Sequence, residues 1–157
     1  MIVLPASLNF DWLTGRDPRV REAIAVRWAV FVEEQGLPAD EEVDEWDGIC
    51  DHLVATLDGA VVGTARLVPQ DAHTVRIGRV AVRREARHQG VATRLMLRCE
   101  ARAADQGREV VRLSAQWGVV SFYEQLGYVV TGDPYVEAGL VHVAMTKRID
   151  PQQGSIV

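Results

Sequence analysis

The chain has 157 residues, 48% of them apolar and 25% charged, with a formal net charge of −5. That length and balance suit one soluble globular domain with room for a core, and the acidity argues against general nucleic-acid binding, which needs a basic face. Cys50 and Cys99 lie far apart and outside any Cys-x-x-Cys, which argues against a disulfide framework or structural zinc and fits a reducing cytoplasm.

The amino-terminal stretch MIVLPASLNFDWL has no basic region ahead of its apolar residues, so it does not read as a signal peptide. Asp17-Pro18 then reads as a helix start, with Asp as cap and Pro at the first helical position. Val20, Ile24, Trp28 and Phe31 follow at helical spacing, giving an expected apolar face that runs to about Glu34 and stops near Gly36-Leu37-Pro38. ADEEVDEWDGICD is acidic and reads as an irregular segment. From His52, two β-rich runs joined by Asp58-Gly59 predict a hairpin with a two-residue turn. Residues 74–82, TVRIGRVAV, predict another strand.

After Gly90, the recurrence of Val91, Leu95, Cys99 and Ala103, with Ala92 and Met96 alongside, predicts a helix ending near Gly107. Residues 110–115 read as a buried strand. Residues 119–126 read as a short helix with Phe122 and Leu126 on one side, stopped by Gly127. Strands are expected at 128–131 and 140–147. Helices and strands mix along the chain with no linker between them, so a single mixed α/β domain is expected over 1–157, with its core at roughly 18–148. No apolar run approaches the roughly 18 residues of a membrane span. His52, His73, His88 and His142 are scattered without metal-ligand spacing, so no metal site is expected.

The stretch RREARHQGVATRLM (83–96) places several arginines and a glycine at a helix start, directly after a strand. The first turn of a helix carries unpaired N–H groups and the positive end of the dipole, a combination suited to phosphate. Gly90 permits close approach of a ligand to the backbone, and Arg87 can pair with phosphate bidentately. Sixteen of the seventeen basic residues are arginine, so an arginine by itself says little here. The dinucleotide pattern GxGxxG and the P-loop are both absent.

The pattern Arg87-x-x-Gly90-x-Ala92, after a strand ending Val80-Ala81-Val82, resembles the Gcn5-related N-acetyltransferase (GNAT) superfamily. LSAQWGVVSFYEQLGY (113–128) is similar to the later motif of the same family. RWAVFVEEQGLPADEEVDEWD, His52, ARL (65–67), IGRVAV (77–82), SAQ (114–116) and EAGLVHVAM (137–145) narrow the resemblance to the ElaA-like branch, over roughly residues 20–147. Three positions differ from the common pattern: His88 stands where many members have glycine, Ala92 is the permitted alternative to glycine, and Gln116 replaces an Asn that touches the cofactor.

The resemblance implies a GNAT-like acyl-CoA N-acyltransferase fold, a central, mostly antiparallel twisted sheet flanked by helices. It implies an enzyme that moves the acetyl group of acetyl-coenzyme A to an amine by direct attack in a ternary complex, without a metal. Backbone N–H groups of Val80, Ala81 and Val82 would meet the acetyl carbonyl and pantetheine. Arg87, His88, Gln89, Gly90, Val91, Ala92 and Thr93 would hold the pyrophosphate, with Gln116 also on the cofactor. Tyr123 would protonate the leaving sulfur, since an ordinary phenol is protonated at neutral pH; its other reading is a helix aromatic packed beside Phe122.

Many relatives place a basic Glu on the central strand, and TVRIGRVAV carries no carboxylate. Candidates for the base and the acceptor site are Glu33, Glu34, Asp44, Asp47, His52 and His142, because the resemblance places the first helix, its following loop and the last strand around the acceptor. His52 and His142 read equally as strand histidines bonded to backbone. Arg79, inside an apolar strand, needs a partner such as a carboxylate of the acidic run; it is either an acceptor-site residue or a structural tie. The run 40–51 reads as a solvated loop or as an attractor for a cationic amine. A calcium loop is disfavoured, because Val43 falls at the first ligand position. The rival reading is a catalytically silent acyl-CoA-binding module. A basic DNA-binding helix is remote, and strand edges near the C-terminus are open to pairing in a homodimer.

Overall fold

The computed structural model describes residues 7–151; the first part of the stretch read against a signal peptide lies outside them. Eight strands form one sheet in the order β1-β2-β3-β4-β5-β8-β6, with β7 also on β8. These are β1 (Leu8–Leu13), β2 (Asp51–Leu57), β3 (Ala60–Pro69), β4 (Thr74–Val82), β5 (Val110–Gln116), β6 (Val129–Val130), β7 (Tyr135–Glu137) and β8 (Leu140–Arg148). The helices are α1 (Val20–Arg27), α2 (Ala39–Glu42), α3 (Val91–Asp105) and α4 (Val120–Gln125). The architecture is the expected mixed α/β one. Its sheet is mostly antiparallel, and β4 and β5 pair in parallel from Thr74↔Val110 to Arg76↔Arg112.

The chain forms two compact units, residues 7–66 with Arg79–Leu95, and Leu67–Gly78 with residues 96–151. In the first, β1 pairs antiparallel with β2 from Leu8↔Leu57 to Leu13↔His52. The β2–β3 turn is the expected one: Asp58 and Gly59 both have positive φ, 49° and 87°, as a two-residue hairpin with the right twist requires. Leu13, Val20, Ala23 and Val54 form one buried cluster, and Val26, Val30 and Ala81 another.

The first helix departs from expectation in two ways. Asp17 accepts a bond from the Arg19 N–H, but the α-helix begins only at Val20. From Trp28 to Glu34 the chain continues as a π-helix, with the Gln35 N–H on the Val30 carbonyl. The buried face is also displaced. Val20, Ala23, Val26, Arg27 and Val30 are buried, whereas Trp28 is 39% exposed. The reason is Arg27: its charge is fully paired inside, so an arginine occupies the face where an apolar residue was expected.

In the second unit, β5 and β8 pair antiparallel from Val110↔Arg148 to Gln116↔His142. Met96, Cys99 and Ala103 of α3 are fully buried, as the helical spacing predicts. Glu100 shares that buried face because Tyr128 Oη donates to its Oε2 and Lys147 Nζ to its Oε1, each at 2.8 Å. The short helix buries Tyr123, not Phe122 and Leu126, which are only half-buried. Strands β1 and β7 were not anticipated. The alternation of Leu8, Phe10 and Trp12 was a legible signal for β1. The Ala138-Gly139 turn before β8, with φ of 52° and 80°, is a two-residue hairpin written with Ala where Asn or Asp is usual, and so carries a weak sequence signal.

Candidate functional site

In the first unit, β4 ends in Val80, Ala81 and Val82, and a short 3₁₀ turn (Arg84–Ala86) leads into the loop ahead of α3. The Arg83 N–H donates to the Val62 carbonyl at 2.7 Å, which ties this exit to β3. His88 and Gly90 both lie in the left-handed region, with φ of 62° and 79°. The loop therefore turns sharply into α3, whose Val91, Ala92 and Thr93 occupy the first turn. Helix geometry leaves the first-turn amides without partners inside the helix, and left-handed residues beside them help form a concave nest of N–H groups for an anion. The His88 position needs the conformation that glycine adopts freely; histidine is held there at a steric cost. Gln89 is exposed.

Arg87 does not extend freely from this loop. Its Nη1 and Nη2 donate to Glu34 at 2.7 and 2.6 Å, and its Nε donates to the Val82 carbonyl at 2.9 Å. Glu34 is correspondingly held below the usual carboxylate range by the Arg87 hydrogen bonds, which with the charges of Arg87 and Arg84 outweigh the opposing effect of burial. Arg87 thus fastens the loop to the π-helical segment. Glu33 and Glu34 help line a cavity of about 360 Å³ with Ala29, Val30, Arg83, Arg84 and Glu85.

The acidic run is not the solvated loop that its composition suggested. Glu42 and Asp47 are buried. Arg27 Nε donates to Glu42 Oε1 and its Nη1 to Asp47 Oδ1, each at 2.7 Å. Arg66 Nη1 donates to Asp44 Oδ1 at 2.7 Å and to Asp47 Oδ1 at 3.1 Å. Arg79 reaches Asp44 Oδ2 at 3.3 Å and the Glu42 carbonyl at 3.2 Å. Three arginines thus face three carboxylates, and Asp44 also caps the following 3₁₀ turn through the Trp46 N–H. Arg79 has φ of 52° in the middle of β4, so the strand is locally distorted where its side chain turns to the acidic segment. His52 is fully buried and bonds through Nε2 to the Asp47 carbonyl at 2.9 Å. The same segment thus collects Asp44, Asp47, His52 and Arg79 into one interlocked structure.

In the second unit, Tyr123 on α4 is 8% exposed, with edge-on ring contacts to Phe122 at 5.0 Å and Tyr128 at 5.9 Å. Burial, with a smaller effect of Cys99, pushes its phenol up to about 12. It is a firmly protonated group at neutral pH. Gln116 closes β5 opposite His142. His142 is bonded through Nδ1 to the Leu140 carbonyl at 2.9 Å and stacks on Tyr135 at 6.0 Å between ring centres. Ser114, Tyr135 and Glu137, gathered beside it, were not singled out in the sequence, because β7 itself was not recognised.

A model of the acetyltransferase (GNAT) domain matches residues 21–149. The uncharacterized N-acetyltransferase YjcF of Bacillus subtilis is 34% identical over 136 residues, covering 86% of this chain and 96% of that protein. An acyl-CoA N-acyltransferase from Pseudomonas aeruginosa has a crystal structure that superposes with a TM-score of 0.79 at 32% identity, covering 90% of this chain and 99% of that one. Escherichia coli ElaA superposes with a TM-score of 0.79 at 27% identity, with the same coverages.

Proposed function

The chain belongs to the acetyltransferase (GNAT) family, and we propose that it transfers the acetyl group of acetyl-coenzyme A to an amine by direct attack in a ternary complex. The observation that carries this reading is the loop ahead of α3, where left-handed His88 and Gly90 turn the chain into a helix start. That backbone suits a pyrophosphate, which needs several N–H donors at once. In this reading the amides of residues 88–93 bind the pyrophosphate, Arg87 holds the loop in shape from behind through Glu34, and Val80, Ala81 and Val82 offer backbone groups to pantetheine and the acetyl carbonyl. Gln116 contacts the cofactor.

Tyr123 gives its proton to the departing sulfur. Its support is a hydroxyl that is protonated at neutral pH, on the short helix that follows β5. Glu33 remains as an acceptor-side group beside the cavity, whereas Glu34, His52 and Arg79 act through the structures they hold together. The match over 21–149 supports one N-acetyltransferase domain built from both compact units. Two buried free thiols, Cys50 and Cys99, support a reducing compartment such as the cytoplasm.

The test is release of free coenzyme A from acetyl-coenzyme A in the presence of primary amines. Amine-dependent release, with the acetylated amine found by mass spectrometry, supports the enzyme. Acetyl-coenzyme A binding without release on any amine supports a silent cofactor-binding module instead.

A further inference from the structure

The central strand offers no carboxylate as a base, and the acidic segment spends Glu42, Asp44 and Asp47 on arginines. The second unit holds a different polar group. Register pairs Gln116 with His142 across β5 and β8, Ser114 with Ala144, and Tyr135 with His142 across β7 and β8. Paired residues, and residues two apart, share a sheet face. Ser114, Gln116, Tyr135, Glu137 and His142 therefore lie on one face.

The bonding on that face is directional. A backbone carbonyl only accepts, so His142 Nδ1 carries the proton that reaches the Leu140 carbonyl at 2.9 Å. The neutral ring then has its lone pair on Nε2. Tyr135 stacks on the ring, with 24° between planes, which fixes its orientation. Ser114 Oγ donates to Glu137 Oε2 at 3.5 Å, which leaves the Tyr135 hydroxyl to donate to Ser114 Oγ. The chain of donors ends on an exposed carboxylate next to the imidazole, a place suited to a cationic amine.

We propose that His142 Nε2 takes the proton of the acceptor amine, at an amine-binding site framed by Ser114, Tyr135 and Glu137. This rests on the acetyl-transfer reading above. The amine nitrogen bonds to the thioester carbonyl carbon and the C–S bond breaks. His142 Nε2 takes one proton from the bound ammonium before the attack, which leaves the nitrogen neutral; the second N–H proton leaves to solvent as the amide forms, and the sulfur takes the Tyr123 proton. Exchange with solvent returns both side chains to their starting states. Among the described residues, strand register sets the ionisable groups Tyr135 and Glu137 of β7 on the face of His142. From β5 it faces uncharged Ser114 and Gln116, and the adjoining turn Trp117–Val119 carries no ionisable side chain.

The experiment compares wild type and His142→Gln with a diamine, an amino sugar and a lysine peptide as probes, while acetyl-coenzyme A binding is measured separately. The expected result is retained cofactor binding with kcat lower by about 100-fold or more. The deficit narrows above about pH 10, where amines lose their protons unaided. A variant within about twofold of wild type, or a deficit unchanged across that pH range, overturns the proposal. If His142→Gln fails to bind cofactor, Glu137→Gln decides: a KM for the amine raised about fivefold, with KM for acetyl-coenzyme A unchanged, supports it. No change in either overturns it. A wild-type protein that acetylates none of the probes overturns the transfer reading itself, and this assignment with it.

Discussion

Arg27 and Asp47 stand twenty residues apart and meet through two hydrogen bonds, at 2.7 and 3.1 Å, with no part of the arginine side chain exposed. The same guanidinium holds Glu42 through Nε and Nη2. One buried cation therefore ties the first helix to the segment that precedes β2.

Replacing that cation leaves two buried carboxylates without their main partner. Arg27→Met keeps the volume and removes the charge, and is expected to cost about 3–5 kcal/mol. Urea unfolding followed by tryptophan fluorescence measures this. A loss under about 1 kcal/mol means that the carboxylates relax to water, as surface pairs do.

Acid should unfold the protein in two stages. Burial alone would raise the Asp47 carboxyl, but the Arg27 hydrogen bond, the Asp44 N–H and the charges of Arg27 and Arg66 outweigh it and hold the group far below the usual range. Asp44 is lowered in the same sense, its burial outweighed chiefly by Arg66. A depressed carboxylate is protonated first in the unfolded chain, so its contribution is complete above about pH 4 and lost as pH falls further. His52 is lowered by burial, against the opposing pull of the Asp47 carbonyl. The unfolded chain takes up that proton first, so stability also declines as pH falls below about 6.5. The urea midpoint is expected to fall gently from pH 6.5 to 5 and steeply below about 4. His52→Gln should remove the first stage and Asp47→Asn should flatten the second. A midpoint that rises between pH 7 and 5 contradicts this account.

Two glycines should respond differently to alanine. A Cβ at Gly15 would lie 2.4 Å from the Gly48 carbonyl carbon, a clash with backbone that no rotamer relieves. Gly15→Ala is expected to cost about 3 kcal/mol in unfolding experiments. A Cβ at Gly90 meets nothing within 4 Å, so only its φ of 79° is strained. Gly90→Ala is expected to cost about 1–2 kcal/mol and to weaken acetyl-coenzyme A binding through the altered loop. Unchanged cofactor affinity would separate this backbone from the pyrophosphate.

Tyr123→Phe keeps the packing against Phe122 and Tyr128 and removes only the hydroxyl. Stability should change by less than about 1 kcal/mol, while kcat falls by about 100-fold with acetyl-coenzyme A binding retained. Equal loss of binding and turnover would point to packing as the role of this residue.

Much of this was present in local sequence. The Asp58-Gly59 turn, the apolar spacing of α3 and the Arg87–Ala92 pattern each depend on neighbours in the chain, so they could be read directly. Period-two and period-3.6 patterns report which side of an element faces inward, and that is a local property. The Leu8-Phe10-Trp12 alternation belongs to this class too, although it went unrecognised as a strand.

The acidic segment belongs to another class. Composition alone made ADEEVDEWDGICD a solvated run, because isolated carboxylates do not enter a protein interior. Only the tertiary structure brings Arg27, Arg66 and Arg79 from three separate elements to meet it, and long-range pairing is what makes its burial tolerable. The same holds for Ser114, Tyr135, Glu137 and His142, which share a face through strand register alone. The sequence by itself determined the family, the order of most elements and the loop before α3. The tertiary structure decided which charges are spent on the fold and which polar side chains share a face with His142, because both depend on pairing between segments that are separate in the chain.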